Sequence, residues 1–235
     1  MSSCITQSIR PTTALWPFGR GSGLQSSYHE CNHSSHHHIL LIDPPEFLPR
    51  FFHMQATQKP VTPRERALII KKTQEDALAR LPLNTLFIVL YIRSDPPQPN
   101  DFHWGHYFHT SAQGGLKYHM RNLGGGWIPD HGPTGGVFKS NFLCVLIEIA
   151  NVPYETHGLL DQIMRSRDGD VNSIPGITCR VWLMVILQDL IRQGIVRCSD
   201  IDGLQQECMA FGNQYSQGAA TNTQPRPVLR STLCP

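Results

Sequence analysis

Two imidazoles and one thiol are the residues of this chain whose types and placing suit covalent chemistry. His103 opens, and His119 sits inside, two stretches between Asp101 and Asn122 that read as strands joined by a Gly-Gly turn. Cys179 stands at the start of the clearest helical pattern, in which Trp182, Val185, Ile186, Asp189 and Leu190 follow three-and-four spacing. Thr178 supplies its cap and Gly194 its stop. A thiol has an ordinary pKa of about 8.5. At a helix N-terminus the unpaired N–H groups and the helix dipole favour the thiolate. An imidazole within hydrogen-bond reach favours it further, and a second polar group can hold that imidazole in the right tautomer. These residues allow Cys179 as nucleophile with His103 or His119 as base. They equally allow a buried core thiol and two strand histidines.

Other clusters carry less. His103, His106 and His109 form a His-x-x-His-x-x-His pattern, but strand alternation sends His103 and His109 to one face and His106 to the other. A three-histidine metal site would need a break in the strand. The stretch from Tyr28 to His38 is rich in His and carries Cys31, yet no fixed scaffold surrounds it. Arg167 to Asp170 resembles a fragment of a calcium loop without the closing Glu. No metal and no cofactor are expected.

The elements that must position these groups follow from pattern. Thr62-Pro63-Arg64-Glu65 carries a cap, a Pro at the first helical position and a Glu three residues after the cap, and the helix it opens ends near Leu81-Pro82. Thr85 to Ile92 is continuously apolar and reads as a strand buried on both faces. Phe102 to Phe108 and Leu116 to Met120 are expected to pair antiparallel, and Phe142 to Ala150 gives another strand with Cys144 as core filler. Between them runs a glycine-rich loop, Gly124 to Gly136. Its Asp130 and His131 are placed either to approach a site from above or to form a surface turn. A short helix is expected over His157 to Arg165, and a last amphipathic one opens at Asp200.

Composition narrows the class. At 235 residues, 40% apolar and 16% charged, the chain suits one buried domain with tails. A net charge of +2, without a basic run, argues against nucleic acid as partner. Seven scattered cysteines, odd in number and without a CxxC pair, fit a reducing compartment. No secretory pattern and no run long enough to span a bilayer is visible, so the expected location is cytoplasmic. Residues 1–60 are read as disordered or loosely attached, 61–217 as a single α+β domain, and 218–235 as a disordered tail.

The motifs also resemble a known family. Phe102-His103-Trp104-Gly105-His106-Tyr107-Phe108, then Lys117-Tyr118-His119, then Thr178-Cys179-Arg180-Val181-Trp182 at a helix start, resemble the circularly permuted branch of the NlpC/P60 superfamily. That branch includes the lecithin:retinol acyltransferase-like proteins. More narrowly, the chain is similar to fungal proteins with a His-Trp strand motif and a Cys-x-x-Trp helix. The resemblance covers about Leu83 to Val196 and departs from the family's pattern at Thr178, Arg180 and Val181, where an Asn and a polar pair are usual. It implies a papain-like α+β fold, and the architecture expected is α+β, a small antiparallel sheet of about four strands with helices packed on one side. It also implies Cys179 as nucleophile, His103 as general base and His119 as orienting group. The expected function is a thiol-dependent hydrolase or acyl/amide transferase acting on a small-molecule, peptide or acyl substrate. The alternative is a non-catalytic binding or accessory protein, of the kind that could serve a fungal biosynthetic pathway, retaining the papain-like shell.

Overall fold

A reciprocal cap begins the described part of the chain. Thr62 Oγ1 accepts the Glu65 N–H at 3.2 Å, and Glu65 Oε2 accepts the Thr62 N–H at 2.8 Å. The helix so opened, α1, spans Pro63–Ala79. The computed structural model describes residues 61–235. The expectation for residues 1–60, with the His-rich stretch, lies outside the described residues.

Seven strands follow in one mixed sheet: β1 Thr85–Ile92, β2 Phe102–Ser111, β3 Gly114–Asn122, β4 Trp127–Pro129, β5 Gly132–Thr134, β6 Leu143–Asn151 and β7 Val228–Arg230. Their order is β4-β3-β2-β1-β6-β7, with β5 also paired to β3. All pairs are antiparallel except β6 with β7, which is parallel. Three longer helices complete the fold: α2 His157–Met164, α3 Cys179–Arg192 and α4 Ile201–Ala220. The α+β class is as expected. The sheet is larger than four strands because the glycine-rich loop contributes β4 and β5, and the C-terminal stretch contributes β7.

Helices cover both faces rather than one. Side chains of alternating parity along β2 enter two separate cores. Phe102, Trp104 and Phe108 join α3 and α4, through Trp182, Leu183 and Leu204, in the larger core. Tyr107 joins Phe87, Val89 and α1's Ala77 and Leu78 in the smaller one, closed by Val137 and Phe138. This explains why β1 is apolar at nearly every position: it is buried on both sides.

The expected disordered tail is instead built in. After α4 the chain turns back along β6, and the Arg226 guanidinium, 3% exposed, donates to the Gly218 and Asn141 carbonyls and to Asn222 Oδ1. Glu207 on α4 then accepts from Ser231 Oγ at 2.6 Å and from the Thr232 N–H at 2.9 Å. Among the described residues, no helix is long and apolar enough to cross a membrane.

Candidate functional site

The odd-numbered face of β2 presents His103 beside its direct cross-strand partner on β1, Tyr91. On the other side, Gly105 pairs with His119 of β3, which sets the His119 ring diagonally next to His103. The two imidazoles meet with His103 Nε2 3.3 Å from His119 Nδ1, and their ring centroids lie 5.4 Å apart. Tyr91 packs on both, at 6.1 Å from His103 and 5.5 Å from His119. A glycine at 105 is required here: a Cβ would fall 2.5 Å from Cδ2 and 2.6 Å from Nε2 of His119.

This pair floors a cleft of about 400 Å³, walled by Tyr91, Val137 and Phe142 and edged by Lys117, Thr134 and Ser140. Lys117 leans on Asp130 at 2.8 Å, and Arg93 pairs with Asp101 at 3.3 Å near the rim. The bond from Lys117 holds the Asp130 carboxyl below its ordinary range. Burial lowers the basicity of both rings. It acts first on His103, with the Arg93 and Lys117 charges adding and Asp130 opposing. His119 is pushed down to about 3 by burial, then by His103 and Lys117. Both imidazoles are therefore neutral near pH 7, and one hydrogen bond joins them. His119, 8% exposed, has an Nε2 without a partner among the described residues. In either tautomer of the pair, His103 Nδ1 is the nitrogen left free of that bond.

The third expected site residue is elsewhere. Cys179 is the first residue of α3, with Thr178 Oγ1 accepting the Val181 N–H at 3.1 Å as its cap. Its side chain, 4% exposed, belongs to the larger core with Trp104, Tyr118, Met120 and Trp182. Those strand residues have the opposite parity to His103 and His119, so the sheet stands between the thiol and the imidazole pair. The structure brings His103 and His119 together and keeps Cys179 from both. Among the histidines on the thiol's side is His106, fully buried, edge-on to Trp182 at 6.1 Å and pushed down to about 4 by burial. Its nitrogens lie near the Leu183 and Phe87 backbone without meeting hydrogen-bond geometry.

The glycine-rich loop does reach the site, from the edge of the sheet. The Asp130 N–H donates to the His119 carbonyl at 2.8 Å, and the His119 N–H donates to His131 Nδ1 at 3.1 Å. His131 Nε2 in turn donates to Asp168 at 3.1 Å, and its ring stacks on Trp182. Sequence reasoning missed Tyr91 and Lys117. Lys117 was within reach, since it shares the strand parity of His119.

Among the described residues, no group of three or more His, Cys, Asp or Glu side chains is placed to hold a metal ion. The alternation argument explains this for His103, His106 and His109. No protein-family model, curated protein or solved structure matches the chain.

Proposed function

We propose that the chain is a small-molecule-binding protein whose ligand occupies the cleft floored by His103 and His119. One observation carries this reading: a concave, mostly apolar site encloses a joined pair of neutral imidazoles, one of which keeps a buried nitrogen unpartnered. Such a site, with aromatic walls and a few convergent polar groups, is the usual form of a ligand pocket.

The expected thiol-dependent hydrolase or acyl transferase finds less support. A nucleophile needs its base within hydrogen-bond reach, directly or through one water, and Cys179 and the two imidazoles face opposite sides of the sheet. Kinship with the permuted NlpC/P60 superfamily belongs to the same proposal. The chain order of a His-Trp strand, a second His-bearing strand and a Cys-led helix supports it. The opposed faces support a binding protein in which Cys179 is not coupled to His103 or His119.

The test is a ligand-observed NMR screen of the full chain against a panel of cyclic and aromatic fragments, repeated with His103→Ala. Fragments that bind and are lost or weakened in the variant support the reading. A panel that yields no binder, or binders indifferent to His103→Ala, sinks it.

A further inference from the structure

The chemistry of the cleft is one-sided. Its polar edge offers the Lys117 ammonium, the Thr134 and Ser140 hydroxyls and the imidazole pair, and among the described residues no carboxylate lines it. Asp130 engages only one of the three ammonium donors of Lys117. Tyr91 and Phe142 bring aromatic rings to its apolar wall, and the volume of about 400 Å³ suits one or two rings. A lining with an ammonium, hydroxyls that can donate and aromatic rings, but no carboxylate, suits a ring that carries an acceptor, preferably an anionic one.

We propose that the ligand of this cleft is a planar carboxylic acid, bound as its carboxylate between Lys117 and His103, and that the His103–His119 pair takes up one proton as it binds. This rests on the ligand-binding reading above. The groups facing the pair are Tyr91 and Arg93 from β1 and its end, Tyr107 on β2, Lys117 on β3 and Asp130 on the loop, with His106 across the sheet. Burial holds both tyrosine hydroxyls in their protonated form. Around the empty pair the positive charges Arg93 and Lys117 oppose protonation, and Asp130 alone favours it. A ligand carboxylate reverses that balance, because an opposite charge within about 4–6 Å favours the charged form.

The proton comes from solvent and goes to the half-buried ring. His103 then donates from both nitrogens, Nδ1 to the carboxylate and Nε2 to His119 Nδ1. His119 stays neutral, with its proton on Nε2. By linkage, affinity weakens as pH rises through the pKa of the bound pair, by up to about tenfold per pH unit.

The experiment follows the imidazole Cε1–H resonances of the full chain by NMR across pH, alone, with saturating benzoate and with saturating benzamide. Benzamide has the same shape without the charge. The expected result is an upward shift of about one unit or more in the titration of His103 with benzoate only, equivalent to about tenfold in affinity. Lys117→Met should shrink that shift. Benzoate that binds without moving the titration, or benzamide that moves it equally, overturns the acid proposal while leaving the cleft a ligand site. If neither compound perturbs the cleft, the proposal also fails. A silent fragment panel then tells that the ligand-binding reading has failed with it.

Discussion

His131 accepts the backbone N–H of His119 through Nδ1 at 3.1 Å, taking the place in the β-ladder that a main-chain carbonyl would hold. It does so where β3 passes from pairing with β5 to pairing with β4. The role needs one tautomer, with the proton on Nε2 and donated to Asp168. Substituting His131→Phe keeps the stacking on Trp182 and removes both bonds. It should destabilise the fold by about 1–3 kcal/mol, the cost of leaving a partly buried donor unmet. Hydrogen exchange should speed up at the His119 amide. Unchanged exchange there would show that the ladder does not depend on this ring.

Stability should fall on mild acidification. Burial depresses His106 to about 4 and His119 to about 3, and it lowers His103, His109 and His131 as well. The unfolded chain takes up these protons near pH 6.5, before the folded one does. The contribution of neutral burial is therefore complete above about pH 6.5 and is lost as pH falls toward the folded values. For His106 the loss at pH 5 is on the order of 2 kcal/mol. Urea midpoints at pH 7 and pH 5 measure this. His106→Leu should fold normally at pH 7 and show a shallower loss, and an identical loss would remove His106 from the account.

Gly105→Ala tests the floor of the cleft. The added methyl meets the His119 ring at less than contact distance. Overpacking of this kind costs about 1–3 kcal/mol. The imidazole resonances of both His103 and His119 should move together as the pair is forced apart. A variant with native stability and native imidazole spectra would mean that the ring has room to shift.

Alkylation by iodoacetamide separates the two sides of the sheet. Cys179 is buried in the larger core, so its modification should follow opening of the fold and be unmoved by His103→Ala. Peptide mass spectrometry over time gives the rates. Fast labelling of the native chain, slowed by the substitution, would restore the Cys–His couple.

Removing the Glu207 carboxylate tests the C-terminal clasp. Burial raises its pKa, but bonds from Ser231 and Thr232 outweigh this and hold the group below its ordinary value. Hydrogen bonds to a charged group contribute about 1.5–3 kcal/mol. Glu207→Ala should therefore release β7, seen as lost exchange protection over Val228–Arg230 while β1 and β2 stay protected.

Much of the frame was legible locally. Thr62 and Glu65 announce α1, the apolar run Thr85–Ile92 is β1, and Thr178 caps α3 where expected. Strand parity also put His103 and His109 opposite His106. What parity cannot say is which face a distant helix covers. Both faces of β1 and β2 are largely buried and both faces of β2 carry histidine, so polarity alone does not mark where α3 lies or which imidazole shares a side with the thiol. The C-terminal stretch misled for a related reason. Its Asn, Thr, Gln and Pro composition is that of a loose tail, whereas its order comes from Arg226 and Glu207 bonding to residues far away in sequence.

β7 is short, yet its place on the outer side of β6 has a consequence for solubility. β6 is apolar and buried on both faces, and its outward N–H and C=O groups meet β7 from Leu146 to Glu148. An unguarded strand of that kind is a template for edge-to-edge pairing with another molecule. β7 thus acts as a resident blocker, with Arg230 set against Glu148 at its end. Any change that frees it should promote self-association along β6, well before the core itself unfolds.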